Sequence, residues 1–77
     1  MNEQTFLEHF ASIFDEVELE EITMNTEFKN FEEWSSLTAL GLLAVMEEEY
    51  EVTLTHNDIK GATLVRDIYE IVKDKTE

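Results

Sequence analysis

Apolar positions recur at helical spacing in three stretches of the chain, and each stretch predicts an α-helix. The first, residues 5–15, has an apolar stripe at Phe6, Phe10, Ile13, Phe14 and Val17. The second follows Trp34, and its main stripe contains Ala39, Leu42, Leu43, Met46 and Tyr50. The third has core positions at Leu64, Ile68, Ile71 and Val72. Thr5 with Glu8 is a capping-box pattern, and Thr63 can cap the last helix.

The segment between the first two helices has no lasting periodicity. Residues 16–34 therefore predict a long loop, and a connection of this length in a small domain is often functional. Phe28 and Phe31 should anchor the loop to the core. We expect Trp34 to pack over it, because tryptophan is usually largely buried.

A short segment separates the second and third stripes. Val52 and Leu54 alternate with polar residues, but no second strand is available to pair with them, so they predict a turn. Thr55 and Asp58 form another capping-box pattern, which should open a short helix that Gly61 ends. The pattern as a whole predicts an all-α protein. It would be a small four-helix bundle of three main helices and one short helix, with a long loop between helices I and II.

The size and composition limit the possibilities further. The 77 residues suffice for one domain, spanning 1–77, with a single core. No cysteine is present, so disulfides and cysteine-based metal sites are excluded. His9 has no second ligand at a metal-binding spacing, and we expect it to be solvated or loosely packed and the protein to bind no metal. No segment resembles a signal peptide or a bilayer span, so we expect a cytoplasmic protein that does not insert into membranes.

The net charge is strongly negative. Nineteen acidic and five basic residues give −14 at pH 7. This charge disfavours binding to nucleic acid or anionic membranes and favours basic protein partners. The alternative interpretation of this charge is that it only keeps a small protein in solution. Because 43% of the residues are hydrophobic, we expect a folded chain. We also expect the protein to be a monomer.

The longest predicted helix carries a second apolar stripe. This stripe contains Leu37, Leu40 and Ala44, and it shares its arc with Ser36, Glu47 and Glu48. A surface helix needs only one apolar stripe, so the second requires another explanation. Ser35 is a good N-cap. Ser36 is then left free in the first turn, where unpaired N–H groups and the helix dipole favour a phosphate.

This helix resembles the core motif of acyl carrier proteins. The similarity lies in Ser36-Leu37, in Leu42 and in the run from Met46 to Leu54, and length, acidity and element order extend it to nearly the whole chain. In that family the motif serine carries a covalent 4′-phosphopantetheine arm whose thiol holds an acyl group. The resemblance implies this arm on Ser36, with partner contacts at Leu37, Leu40, Ala44, Glu47 and Glu48.

The resemblance also implies the partners. They would be a phosphopantetheinyl transferase and acyl-transfer or synthase enzymes with basic docking patches, in fatty acid, polyketide or specialised acyl-transfer biosynthesis. Three positions depart from the family pattern. Ser35 stands where the family usually has aspartate, Thr38 where an acidic residue is frequent, and Gly41 where a glutamate is common. These departures favour a specialised carrier.

No catalytic pattern is present in the sequence. The glutamates follow helix surfaces and loops, where nothing is expected to raise their pKa. Only two glycines occur, so there is no glycine-rich phosphate loop. We expect that the protein is not itself an enzyme and that any chemistry comes from a prosthetic group. The alternative is an unmodified acidic helical module that binds a basic partner.

Overall fold

Four α-helices follow one another in the order α1 (Glu3–Ala11), α2 (Ser36–Tyr50), α3 (His56–Gly61) and α4 (Val65–Thr76). Two short 3₁₀ helices, Leu19–Glu21 and Phe28–Asn30, lie in the long connection between α1 and α2. The computed structural model describes all 77 residues and contains no strand. The predicted all-α architecture, with a long loop between the first two helices, is confirmed.

Helix α1 begins and ends earlier than the sequence predicts. Asn2 is its N-cap, and the Asn2 Oδ1 accepts the backbone N–H of Thr5 at 3.0 Å. The predicted bounds of 5–15 and the predicted capping box of Thr5 and Glu8 are therefore wrong. An asparagine cap serves the same purpose, since it satisfies one of the free N–H groups of the first turn.

The apolar stripe of this region nevertheless reaches the core. Phe6, Phe10 and Phe14 are buried, and Ile13 and Val17 are half-buried against the core. The N–H groups of Ile13 and Phe14 bond to carbonyls three residues back, which is 3₁₀ geometry. The helix therefore tightens into a turn while its side chains stay on the buried side, so the apolar spacing outlasts the helix.

Aromatic side chains anchor the long loop, as predicted. Phe28 is fully buried, and its ring centroid lies 5.3 Å from that of Phe10 and 4.9 Å from that of Trp34. Phe31 is half-buried, with its ring centroid 5.3 Å from that of Phe14. Edge contacts of this kind add to the energy of burial. The loop is thus packed against the end of α1, and Trp34 covers it just before α2 begins.

A lysine in the loop holds the end of α3. The Lys29 Nζ donates hydrogen bonds to the carbonyl oxygens of Lys60 and Ala62 at 3.3 Å and 2.7 Å. Carbonyls at the end of a helix lack intrahelical partners, and a cation there also interacts favourably with the helix dipole. The loop and the short helix are therefore joined by polar contacts as well as by the core.

The turn before α3 and the start of α3 agree with the prediction. Val52 and Leu54 are buried and form no strand. The capping box is present: the N–H of Thr55 donates to Asp58 Oδ2 at 3.0 Å, and the N–H of Asp58 donates to Thr55 Oγ1 at 3.1 Å. Gly61 is the last helical residue.

Helix α4 has a different cap from the one predicted. Leu64 occupies the N-cap position, and the Thr63 side chain does not cap the helix. Instead, Asp67 Oδ2 accepts the backbone N–H groups of Thr63 and Leu64, both at 2.8 Å. These two hydrogen bonds, first that from Leu64 and then that from Thr63, lower the pKa of Asp67. The first-turn N–H groups that a hydroxyl cap would bind donate instead to loop carbonyls, that of Val65 to Thr26 at 3.0 Å and that of Arg66 to Met24 at 2.8 Å.

One apolar core joins the helices. Its sixteen buried side chains form a single cluster with no charged member. Helix α2 contributes Leu42 and Met46, which are fully buried, and Ala39, Leu43 and Tyr50 pack against the cluster. On α4, Ile68 and Val72 are buried as predicted, together with Val65 and Tyr69, which the predicted stripe omitted. The main stripe of α2 is therefore the buried one.

Candidate functional site

The start of α2 gives its two serines different roles. Ser35 is the N-cap, as predicted: its backbone is extended, and its Oγ accepts the N–H of Thr38 at 3.4 Å. Ser36 is the first helical residue and is exposed. The side-chain hydrogen bonds at this end of the helix involve Ser35 and Thr38 and leave the Ser36 hydroxyl free. A free, exposed hydroxyl at a helix start is accessible to an enzyme that modifies it.

Thr38 and Glu33 hold this helix start in place. The Thr38 hydroxyl donates to the backbone carbonyl of Glu33 at 2.6 Å and lies 3.3 Å from the Ser35 Oγ. The Glu33 carboxylate accepts the backbone N–H groups of Asp15 and Glu16. The residues just before α2 are thereby tied both to its first turn and to the segment after α1. The first helical residue has a fixed position as a result.

Neither supporting residue is predicted from the sequence. Thr38 stands out there only as a departure from the acyl carrier pattern, although a hydroxyl at the third helical position after a serine cap is itself a capping signal. Glu33 gave no signal, because its partners lie 18 and 17 residues away in the sequence. In the structure, the Thr38 hydroxyl supports the helix start through its bond to Glu33.

The first turn of α2 has the electrostatic character that suits a phosphate. The first hydrogen bond of the helical pattern joins the N–H of Ala39 to the carbonyl of Ser35 at 2.9 Å, so the N–H groups of Ser36 and Leu37 are free. No acidic side chain lies in this turn. A phosphate ester on Ser36 would therefore meet free donors and the positive end of the helix dipole, without repulsion from its own turn.

The second apolar stripe of α2 is exposed. Leu37 is 79% exposed and Leu40 52%, the two highest values among the large hydrophobic side chains. Ala44, Glu47 and Glu48 are also exposed. The residues singled out from the sequence, Ser36, Leu37, Leu40, Ala44, Glu47 and Glu48, thus all lie on the solvent-exposed part of one helix. Adjacent apolar and acidic groups of this kind suit a basic protein surface with apolar contacts.

Gly41 faces the neighbouring segment instead of this exposed surface. A Cβ at this position would lie 3.9 Å from the Cβ of Ile13, an ordinary van der Waals distance. Gly41 is half-buried. A glutamate here would point its carboxylate past an apolar side chain at the end of α1, which would cost desolvation energy. The position therefore has room for a small side chain beside Ile13.

The far end of α2 is joined to α1 through His9. The His9 Nδ1 lies 2.9 Å from the Tyr50 hydroxyl, and its Nε2 lies 3.6 Å from Glu49 Oε2. The expectation that His9 is solvated or loosely packed is therefore wrong, since it is half-buried and hydrogen-bonded. Burial, with smaller effects from Glu49 and Tyr69, raises the pKa of the Tyr50 hydroxyl. No three His, Cys, Asp or Glu side chains are grouped as metal ligands.

Two open grooves lie on the surface, and no residue of α2 lines either of them. The larger, of about 440 Å³, lies between α1 and the first 3₁₀ helix, and the smaller, of about 370 Å³, lies between residues 16–17 and 31–33. None of the four helices combines the length and the apolar character that crossing a bilayer requires. The exposed face of α2 contains neither groove.

No protein-family model matches the chain, and no curated protein matches it at a significant level. The observations that bear on function are therefore those of the molecule itself. They are the free Ser36 hydroxyl at a supported helix start and the apolar and acidic side chains exposed along the same helix.

Proposed function

We propose that the protein is an acyl carrier that bears a 4′-phosphopantetheine arm on Ser36. The observation that carries the proposal is the position of this serine: it is exposed at the first position of α2, and its hydroxyl is free because Ser35 makes the cap. When attached, the arm supplies a thiol that holds an acyl group as a thioester. The protein supplies the attachment oxygen, free N–H groups next to the phosphate, and a rigid base for the arm.

The exposed face of α2 supports the proposal as a surface for partner enzymes. Leu37 and Leu40 offer apolar contact beside the attachment point, and Glu47 and Glu48 lie farther along the same helix. Acidic side chains steer a basic docking patch toward the helix and fix its orientation, while the leucines contribute burial. A transferase, and then acyl-transfer or synthase enzymes, would use this one surface in turn.

The departures from the family pattern favour a specialised carrier with its own transferase. The first turn of α2 has no acidic side chain, so a transferase that recognises a carboxylate beside the modified serine would find none here. The Thr38 hydroxyl bonds to the backbone of Glu33, and Gly41 faces Ile13, so both positions contribute to the fold without an acidic side chain. Specialised acyl transfer is therefore a better proposal for the pathway than general fatty acid synthesis.

The alternative function, an unmodified acidic module that binds a basic partner, is supported by the same exposed leucines. The two functions differ in covalent chemistry. Mass spectrometry of the intact protein purified from its native host distinguishes them. A carrier would show the added mass of one phosphopantetheine group on the peptide that contains Ser36, whereas an unmodified module would show only the mass of the chain.

A further inference from the structure

The larger surface groove lies between α1 and the first 3₁₀ helix of the loop, away from the residues of α2. It has a volume of about 440 Å³ and is lined by Gln4, Leu7, Leu19, Glu20, Ile22 and Thr23. Ile22 is buried, whereas Leu7 and Leu19 are only half-buried. An apolar side chain placed in the groove would complete the burial of both leucines.

The segment of chain that lines the groove carries side-chain charge of one sign, apart from His9. Residues 1–28 contain eight acidic side chains and no lysine or arginine. The eight, all exposed, are Glu3, Glu8, Asp15, Glu16, Glu18, Glu20, Glu21 and Glu27. By contrast, residues 52–77 hold four of the five basic residues and five acidic ones, so that part of the chain is nearly neutral. The segment that lines the groove therefore carries eight of the nineteen acidic residues and none of the five basic ones.

We propose that this groove is a second docking surface, which binds a basic peptide segment of a partner protein through one apolar anchor flanked by Lys or Arg. The anchor would pack between Leu7 and Leu19, and the flanking cations would lie near Glu20 and the acidic side chains next to it in sequence. A basic segment fits because it relieves the mutual repulsion of the surrounding carboxylates. A second copy of this chain does not fit, because its own charge of −14 would add to that repulsion.

The proposed surface is independent of the attachment site on α2. The groove and the exposed stripe of α2 share no residue, so one partner can occupy the groove while another protein contacts α2. The proposal does not require Ser36 to be modified. For a carrier, a partner bound at the groove would keep the protein close to the enzymes that visit α2, and this raises their effective concentration.

The test is a nuclear magnetic resonance titration of the full chain with three synthetic peptides of equal length. The first has Lys and Arg on both sides of one leucine, the second has serine in place of the leucine, and the third has glutamates in place of the basic residues. The first peptide should shift the amide signals of Leu7, Glu20 and Ile22 saturably. The other two should bind about tenfold more weakly or worse, and the affinity of the first should fall with added NaCl.

Two pairs of variants locate the binding. Leu19→Ser should weaken binding of the first peptide, read from the amide signals of the groove, by about tenfold, whereas Leu64→Ser, at a half-buried leucine outside the groove and outside α2, should change it by no more than about twofold. If Leu19→Ser lowers the folded fraction, Glu20→Lys replaces it, with Glu70→Lys on α4 as the control of equal charge. Three results would each overturn the proposal. They are amide-signal shifts confined to α2, a serine peptide that binds as tightly as the leucine peptide, and the lack of saturable binding of the first peptide.

Discussion

The Thr38 hydroxyl donates a hydrogen bond of 2.6 Å to the backbone carbonyl of Glu33, so one side chain joins the first turn of α2 to the loop before it. We predict that Thr38→Val, which keeps the shape but removes the hydroxyl, lowers the free energy of unfolding by about 1 kcal/mol. Urea denaturation measures the change. Thr38→Ser keeps the hydroxyl and should lose less. Equal stability of Thr38→Val and the wild type would show that the bond does not hold the helix start.

Gly41 lies in the interior of α2, where glycine costs helix stability. There is room for a Cβ, since its nearest neighbour outside the helix would be the Ile13 Cβ at 3.9 Å. Gly41→Ala should therefore raise the free energy of unfolding by about 0.5–1 kcal/mol. Thermal unfolding followed by circular dichroism gives the measurement.

Two comparisons make this test specific. Gly61→Ala, at the last position of α3, should stabilise less because the helix frays there. Gly41→Glu, which introduces the residue common in acyl carrier proteins, should be less stable than Gly41→Ala, because its side chain must pass Ile13. A Gly41→Glu variant as stable as Gly41→Ala would contradict this expectation.

Asp67 should make the stability depend on pH at low pH. Because hydrogen bonds from Leu64 and Thr63 lower its pKa below the ordinary 3.8, its contribution is complete above that value and is lost as the pH falls through the lowered pKa. Asp67→Ala should therefore be less stable than the wild type by about 1 kcal/mol at pH 7, and the difference should shrink as the pH falls through the lowered pKa. Glu70→Ala removes the same charge from the middle of α4 without breaking such bonds. A difference for Asp67→Ala that stays constant with pH would argue against this role.

Local sequence patterns were enough to predict the order of the helices, but they did not predict the long-range contacts. The two stripes of α2 could be separated by angle alone, and the structure buries Leu42 and Met46 while exposing Leu37 and Leu40. The capping residues were harder to predict, because the side chain that caps a helix can lie before its first residue or within its first turn. Asn2 precedes α1 and Asp67 lies inside α4, and the sequence pattern favoured a threonine in both cases.

Contacts between distant residues left no sequence signal. His9 meets Tyr50, 41 residues away, and Lys29 meets the end of α3, 31 and 33 residues away. Periodicity reports only which face of an element is apolar, so it cannot identify partners across the fold. The exposed stripe of α2 could be predicted for the opposite reason, since it required no partner within the chain.

The acidic end of the exposed α2 face should govern association with partner enzymes. Replacing Glu47 and Glu48 together by lysine should slow association with the cognate transferase, because the residues lie on the helix that bears Ser36. The loss should shrink in high salt, which screens such steering over about 10 Å at 0.1 M. Stopped-flow or surface-binding kinetics give the rates. Replacing Glu70 and Asp74 on α4 by lysine changes the net charge equally, and equal slowing by both double variants would mean that overall charge matters and the α2 face does not.

The central claim is that Ser36 carries the arm, and intact-protein mass spectrometry after incubation with coenzyme A, Mg²⁺ and several phosphopantetheinyl transferases tests it most directly. The wild type should gain the mass of one phosphopantetheine group. Ser35→Ala should still gain it, with a stability lower by about 1 kcal/mol from the lost cap, and Ser36→Ala should gain nothing. Modification that persists in Ser36→Ala would place the arm elsewhere. A wild type that stays unmodified with every transferase and in its native host would contradict the carrier function itself.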